Sequence, residues 1–294
     1  MKPVLVIGKS GQMAQALAHV GGDGVVCIGR PEVDLLDGSS LMRAIESCQP
    51  GAVINAGAYT AVDGAESDPA MAHALNVTGP ENLAGACAAH GLPLIHLSTD
   101  CVFDGEKPEP YVPDDKTCPL GVYGRSKLEG EVAVRGRAPH TLVVRVSWIF
   151  SRFGKNFVWT MLKLAQTRPS LTVVRDQLGC PTHAPALAEG LLEMARQAAA
   201  PGFEAWGVYH LAGRGEINRA LMAQKIFEYS REIGGPFAEV IPIQTADYPT
   251  PAERPLNARL DMSETTRVFG VELPDWEAGL RETVDGLVEE FPAS

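Results

Sequence analysis

The chain has 294 residues, 45% of them hydrophobic and 21% charged, a composition typical of a folded globular protein and not of a disordered one. The 25 Lys and Arg against 36 Asp and Glu give a net charge of −11, which argues against a surface for nucleic acid. No apolar run approaches the roughly 18 residues of a membrane span, and the six cysteines form no CxxC pair. We therefore expect a cytoplasmic protein with reduced thiols and with neither a nucleic-acid nor a membrane partner.

Short apolar runs alternate with helical patterns through the first half of the chain. Strands are predicted over 3–7, 25–28, 52–54, 92–97 and 141–146, and helices over 12–20, 41–47, 69–90 and 123–134. Continuously apolar strands of this length are typical of a parallel sheet that is covered on both faces. The regular alternation predicts a doubly wound α/β fold.

The second half of the chain is less regular. Its predicted elements are a helix over 156–166, a strand over 171–174, a helix over 185–199, a strand over 207–211, a helix over 218–231 and, after a Pro-rich stretch, a closing amphipathic helix. We predict a larger domain over 1–148 and about 171–212. The remaining segments, about 149–170 and 213–294, are predicted to form a smaller, mostly C-terminal substrate-binding lobe.

A glycine loop joins the first predicted strand to the first predicted helix, with the pattern G-x-x-G-x-x-A over Gly8, Gly11 and Ala14. Gly8 permits a tight turn, Gly11 lets a phosphate approach the backbone, and the helix N-terminus offers free N–H groups to a pyrophosphate. A purely structural turn is the alternative, since the motif alone is weak. Its position between a strand and a helix predicts that the larger domain is a parallel Rossmann sheet that binds a dinucleotide.

Two polar residues follow the second strand, where such folds contact the adenosine ribose. An acidic residue there favours NAD, whereas an Arg, here Arg30, can hold a 2′-phosphate. Asp34 follows four residues later, at a spacing that places it beside the adenine. We predict NADPH or NADH as the cofactor, with a preference for NADPH. The alternative for Arg30 is a solvated surface residue.

Tyr123 and Lys127 are four residues apart in a predicted helix and therefore share one face. Thr99 follows the predicted fourth strand, at the sheet edge where doubly wound folds bind ligands. Ketone reduction needs a hydride from a nicotinamide and a proton for the oxygen, and a nearby ammonium brings the pKa of a tyrosine toward neutral pH. We predict that Tyr123 supplies the proton, that Lys127 lowers the Tyr123 pKa and holds the nicotinamide ribose, and that Thr99 polarises the ketone.

Eight motifs in a fixed order cover nearly the whole chain. They lie at 8–13, 55–63, 75–77, 98–105, 123–131, 145–150, 176–182 and 254–261. In these motifs the chain resembles the extended short-chain dehydrogenases/reductases and, within them, the dTDP-4-dehydrorhamnose reductase family. The resemblance implies an oxidoreductase that reduces the C4 ketone of dTDP-4-dehydro-L-rhamnose with NAD(P)H, the last step of dTDP-L-rhamnose synthesis. It also implies that the smaller lobe binds the sugar nucleotide.

The resemblance and the motifs together give three sets of candidate site residues. The catalytic set is Thr99, Tyr123 and Lys127. The cofactor-binding set is Gly8, Gly11, Gln12, Met13, Arg30, Asp34, Leu35, Ala56, Gly57, Ala58, Tyr59, Thr60, Asn76, Tyr123 and Lys127. The substrate-binding set is Val62, Thr99, Asp100, Tyr123, Trp148, Asn156 and Arg254. Within the last set, Trp148 is expected to pack on the sugar and Arg254 to reach the diphosphate. The alternatives are core packing for Trp148, helix capping for Asn156 and a surface ion pair for Arg254.

Two positions depart from the family pattern: Cys101 stands where Tyr is usual, and Gly64 where Lys is common. Because Cys101 removes an aromatic sugar contact, a reductase of another dTDP-4-keto-6-deoxy sugar stays open. So does a non-catalytic NADP-binding regulatory subunit similar to the β-subunit of methionine adenosyltransferase, although the intact catalytic set favours an enzyme. A dehydratase is disfavoured, because Cys101 and not Glu follows Asp100.

No His or carboxylate spacing typical of a catalytic metal site occurs, so none is predicted. The resemblance brings Mg²⁺ at a dimer contact into consideration, with Glu289 and Glu290 as candidate ligands. We expect a solvated charge pair there instead. A homodimer is left open.

Overall fold

The computed structural model describes residues 2–291. The strands are β1 (Val4–Ile7), β2 (Val25–Ile28), β3 (Ala52–Asn55), β4 (Leu94–Thr99), β5 (Thr141–Val146), β6 (Ile149–Phe150), β7 (Ser170–Val174), β8 (Leu178–Gly179), β9 (Thr182–His183), β10 (Gly207–His210), β11 (Ile217–Asn218), β12 (Glu239–Ile243) and β13 (Asn257–Ala258). The helices are α1 (Gln12–Gly21), α2 (Gly38–Cys48), α3 (Val62–Ser67), α4 (Pro69–His73), α5 (Gly79–Ala89), α6 (Val122–Arg137), α7 (Phe157–Ala165), α8 (Ala184–Ala198), α9 (Arg219–Glu232), α10 (Ser263–Phe269) and α11 (Trp276–Val288).

Six parallel strands form the central sheet, in the order β10-β5-β4-β3-β1-β2. Every residue of β3 and β5 is buried, as the apolar runs predicted. Residues of α1 and α8 cover one face, and residues of α2, α5 and α6 cover the other. The predicted doubly wound fold is therefore confirmed. The strand order reverses between β1 and β3, which opens the crevice where such sheets bind ligands.

A second apolar core is formed by α7, α9 and α11, through residues such as Leu162, Ile226 and Leu280. The predicted strand at 171–174 pairs with β12 of this lobe and not with the central sheet. The sequence pattern of this strand cannot distinguish pairing with β12 from pairing with the central sheet, since a short apolar run does not reveal its pairing partner. The division at about residue 171 stays a prediction, and this pairing favours a boundary nearer residue 183.

The segment predicted as one helix over 69–90 consists of α4, a π-helical turn at Ala74–Thr78 and α5. Ala- and Leu-rich composition carries no signal for a π turn, because it suits any helical winding. The short helix α3 was not predicted. Within residues 2–291 no helix is long and apolar enough to cross a membrane.

Two glycines let α6 approach neighbouring backbone closely, one at the π turn of Ala74–Thr78 and one just after β4. A Cβ at Gly130 would overlap the backbone oxygen of Asn76, and a Cβ at Gly124 would overlap that of Cys101. Neither oxygen can move like the tip of a flexible side chain. The contact therefore fixes the position of the helix that carries Tyr123 and Lys127.

We expect Gly130→Ala to lower the free energy of unfolding by about 1–3 kcal/mol, the usual cost of overpacking. Gly136→Ala in the same helix is the matched control. It has open space around its Cβ position and should be neutral or stabilising by about 0.4–1 kcal/mol. Urea unfolding measures both variants, and equal midpoints would contradict the close contact at Gly130.

Candidate active site

The turn after β1 leads the chain directly into the N-terminus of α1. Gly8 has φ +133°, a conformation that L side chains rarely adopt, and its Cβ position would lie 3.2 Å from the carbonyl carbon of Ala56. Gly11 is the N-cap of α1, and no side chain caps this end. The first N–H groups of α1 are therefore free to bind an anion, which fits the pyrophosphate of a dinucleotide.

Beside this turn lies a groove of about 380 Å³ at the reversal point of the sheet. The predicted cofactor residues that line it are Gly8, Gly11, Arg30, Asp34, Leu35, Ala56, Gly57 and Ala58. Arg30 is exposed at its rim, and the Asp34 carboxylate accepts a hydrogen bond from Leu36 N (2.9 Å). The structure thus brings eight of the predicted residues together.

The remaining predicted cofactor residues are placed differently. The Met13 side chain is in the core, so only its backbone can face a ligand. The Gln12 amide donates to Ile149 O (3.5 Å) and accepts from Ser151 Oγ (3.3 Å). Thr60 is exposed in the loop after β3.

Asn76 is fully buried in the π turn, and protein groups occupy its amide. Its Oδ1 accepts from Tyr59 N (2.8 Å), and its Nδ2 donates to Tyr59 O (3.1 Å) and Ser126 Oγ (2.9 Å). The Ser126 hydroxyl in turn donates to Tyr123 O (2.8 Å). Asn76 therefore positions the Tyr59 loop and the start of α6.

Thr99, Tyr123 and Lys127 lie together at the carboxyl end of β4. Thr99 Oγ1 donates to Asp100 Oδ1 (2.8 Å) and accepts from Cys101 N (3.1 Å). The other oxygen of Asp100 accepts from Ser147 Oγ (2.7 Å). Lys127 Nζ donates to Leu97 O (2.6 Å), one strand residue before Ser98.

Burial dominates the ionisation of these groups. It raises the pKa of Tyr123, an effect that the charges of Cys101 and Asp100 increase and the nearby Thr99 hydroxyl opposes. The predicted lowering of the Tyr123 pKa is therefore not seen, because the desolvation of the phenolate is the largest cause of its shift. Burial lowers the pKa of Lys127 to about 8, against the attraction of Glu131. At neutral pH the pair is therefore a neutral phenol and a cation.

Two groups that the sequence analysis missed position α6. The Glu66 carboxylate accepts from Val122 N (2.7 Å) at the helix N-terminus, where a negative charge is favourable. Glu131 forms a buried bidentate pair with Arg145 of β5 (2.9 and 2.8 Å) and accepts from Ser98 Oγ. The sequence did offer a signal for Glu131, since a glutamate one helical turn after Lys127 lies on the same face of the helix. It offered no signal for Glu66.

Trp148 follows β5 with φ +44°, a strained conformation for a bulky residue. Its ring lies against Gly179, where a Cβ would overlap it. The guanidinium of Arg219 stacks on this ring, and its Cζ atom lies 3.4 Å from the ring centroid. Nothing in the sequence singled out Arg219, because its helix position alone does not reveal what it faces.

The other predicted substrate residues hold varied positions. Val62 begins α3 and is half-buried. Asn156 caps α7, accepting from Val158 N (3.0 Å) and donating to Ser151 O (2.6 Å), which favours the capping interpretation. Arg254 Nη2 pairs with Asp63 Oδ1 (2.8 Å) across the two lobes.

Within residues 2–291 no group of three or more His, Cys, Asp or Glu could hold a metal ion. Glu289 and Glu290 share a groove with Arg152 and Lys155, next to the end of α11. Two basic side chains are already present to balance these carboxylates there. The prediction of a solvated charge pair stays untested.

Comparisons with known proteins agree with this geometry. Residues 1–289 match the family model described as "RmlD substrate binding domain". The dTDP-4-dehydrorhamnose reductases of Sinorhizobium fredii and Burkholderia thailandensis are 46% and 41% identical, over 97% and 98% of this chain and 97% and 99% of theirs.

Two solved structures are similar over almost the whole chain. The dTDP-4-dehydrorhamnose reductase of Clostridium acetobutylicum has a TM-score of 0.89 and 31% identity, covering 97% of this chain and 99% of that one. The enzyme of Bacillus anthracis, in complex with NADP, has a TM-score of 0.88 and 29% identity, covering 96% and 98%. The chain belongs to the dTDP-4-dehydrorhamnose reductase family.

Proposed function

We propose that the protein reduces the C4 ketone of dTDP-4-dehydro-L-rhamnose to give dTDP-L-rhamnose, with NADPH or NADH as the reductant. The observation that carries the proposal is the convergence of Thr99, Tyr123 and Lys127 at the carboxyl end of β4, on the ligand-binding edge of the sheet. The intact set favours an enzyme over a regulatory subunit on the same fold. Family membership and the names of the relatives support the same substrate.

The groove beside the glycine turn fits a nicotinamide dinucleotide. When bound, the nicotinamide supplies the hydride for the ketone carbon. The free N–H groups of α1 would hold the pyrophosphate, and Asp34 and Leu35 would line the adenosine end. Arg30 at the rim would bind a 2′-phosphate, which is why we propose NADPH as the preferred form.

Tyr123 delivers the proton in this proposal. Its raised pKa keeps the phenol protonated at neutral pH, which is the form that reduction of a ketone requires. The Thr99 hydroxyl, whose single proton is donated to Asp100 in the structure, would turn to donate a second hydrogen bond to the same oxygen when the ketone binds. The Lys127 cation, one helical turn from Tyr123, stabilises the phenolate that remains.

The sugar is assigned to the space beside Asp100, with Val62 at its edge. Arg219 and Gly179 lie against the Trp148 ring, so Trp148 would meet the sugar through its ring edge and not through a face. Because Cys101 stands where the family usually has a tyrosine contact to the sugar, other dTDP-4-keto-6-deoxy sugars belong in the substrate panel. Asn156 and Arg254 would contribute through the helix and the loop that they fix. A cytoplasmic location, a homodimer and a Mg²⁺ site at a dimer contact stay predictions.

The decisive experiment follows NADPH absorbance with dTDP-4-dehydro-L-rhamnose and with other dTDP-4-keto sugars. We expect turnover in the wild type and a loss of about 10²–10⁴-fold in kcat for Tyr123→Phe, the usual contribution of an acid–base group. The variant should still bind the cofactor, because only the Tyr123 hydroxyl is removed. Tyr248→Phe, which removes the hydroxyl of an exposed tyrosine outside the predicted site, is the matched control and should leave kcat unchanged. No oxidation with any nucleotide-linked ketone would refute the function.

The pH dependence of kcat/KM should report the ionisation of Lys127. Its charge is present below a pKa of about 8 and is lost above it, so kcat/KM should fall as the pH rises through that value. Tyr123 does not interfere, because its own pKa is raised. Lys127→Arg keeps a charge at higher pH and should move the alkaline limb upward. A wild-type profile that is flat well above pH 8 would contradict the assignment.

Cofactor selectivity tests Arg30. Arg30→Ala should raise KM for NADPH by about 10- to 150-fold, the value of a charge-assisted hydrogen bond, and leave KM for NADH unchanged. Arg43→Ala on α2 removes an exposed charge whose partner is Asp37 and serves as the control. Equal effects of Arg30→Ala on both cofactors would remove the basis for an NADPH preference.

A further inference from the structure

Arg219 presents an unpaired guanidinium at the cleft between the lobes. Its Cζ lies 3.4 Å from the ring centroid of Trp148 and 5.0 Å from that of Phe157. Across residues 2–291 this guanidinium makes no ion pair or hydrogen bond with the protein. Both aromatic rings lie close to the guanidinium carbon, and the N–H donors are available to a ligand.

The position of the guanidinium is fixed by Trp148. That ring is held between Arg219 and Gly179, and the preceding Ser147 binds both Asp100 and Ala258 O. The charges of Asp100 and Cys101 act on Arg219, so the guanidinium lies near the segment that carries Thr99. Although burial lowers its pKa to about 10, with Asp100 acting in the opposite direction, the group is charged at neutral pH.

Arg254 offers a useful comparison. It is close enough for its charge to disfavour that of Arg219, but it is already engaged by Asp63 (2.8 Å) and by Ala252 O (3.0 Å). Two like charges that face one cleft repel each other unless an anion lies between them. Of the two, Arg219 is the cation whose charge no carboxylate pairs with in the described part of the chain.

We infer that Arg219 binds the diphosphate of the sugar-nucleotide substrate and is a main determinant of nucleotide affinity in this chain. The inference rests on the proposed function, since that substrate brings a diphosphate into the cleft. A guanidinium binds phosphate oxygens through two parallel N–H donors, and stacking on Trp148 holds that fork in one orientation. The sequence analysis gave this role to Arg254, and we now place Arg219 beside it.

Isothermal titration with dTDP and with thymidine tests the inference directly. Arg219→Gln keeps much of the side-chain length over Trp148 but removes the charge, and it should weaken dTDP binding by about 10- to 150-fold. Thymidine affinity and KM for NADPH should be unchanged. Arg219→Lys keeps the charge without the planar fork, and its dTDP affinity should lie between those of the wild type and Arg219→Gln.

Arg231→Ala is the matched control, since Arg231 lies at the other end of α9 and stacks on Phe237 at 4.1 Å. It should leave dTDP binding unchanged. Equal dTDP affinities for the Arg219→Gln and Arg231→Ala variants would overturn the inference, as would an equal loss of thymidine affinity, which would indicate a packing role. Failure of the wild type to bind dTDP would also overturn it. A wild type that binds dTDP through Arg219 but reduces no sugar nucleotide would refute only the proposed function.

Discussion

The buried pair of Glu131 and Arg145 joins the helix that carries Tyr123 and Lys127 to the central sheet. Both side chains are almost completely buried, and the carboxylate accepts two hydrogen bonds from the guanidinium and one from Ser98. Arg145 also donates to Pro113 O (3.0 Å). Such a pair is costly to bury, but removing one partner typically costs about 3–5 kcal/mol, because the other charge is left uncompensated. The position of α6 relative to β4 and β5 therefore depends on the Glu131–Arg145 pair.

The same burial determines the ionisation of the candidate active site and has a cost in stability. Lys127 has a pKa of about 8 in the folded chain against 10.5 for an exposed lysine. The unfolded state therefore binds more protons between these values, and stability should rise with pH in that window. Below pH 8 the buried charge costs about 3 kcal/mol by this linkage.

The two lobes meet where the chemistry is proposed to occur. Asp63 of α3 pairs with Arg254, and Ser147 binds Ala258 O, so contacts between distant segments close the cleft on two sides. Trp148 directly follows Ser147 and has a strained backbone conformation. Strain of this kind persists only where surrounding packing enforces it, and it is concentrated at functional sites. Here the strain directs the indole, and with it Arg219, toward the cleft.

The sequence by itself determined the doubly wound sheet, the glycine turn and the spacing of Tyr123 and Lys127, because strand burial, backbone freedom and helical periodicity are local properties. It also determined the family, since eight ordered motifs are far more specific than any one of them. Only the tertiary structure decided that β7 pairs within the smaller lobe, that the amide of Asn76 is occupied by protein groups and that Arg219 stacks on Trp148. Each of these depends on which distant groups meet, and a contact between residues far apart in the chain leaves no periodic or local signal in the sequence.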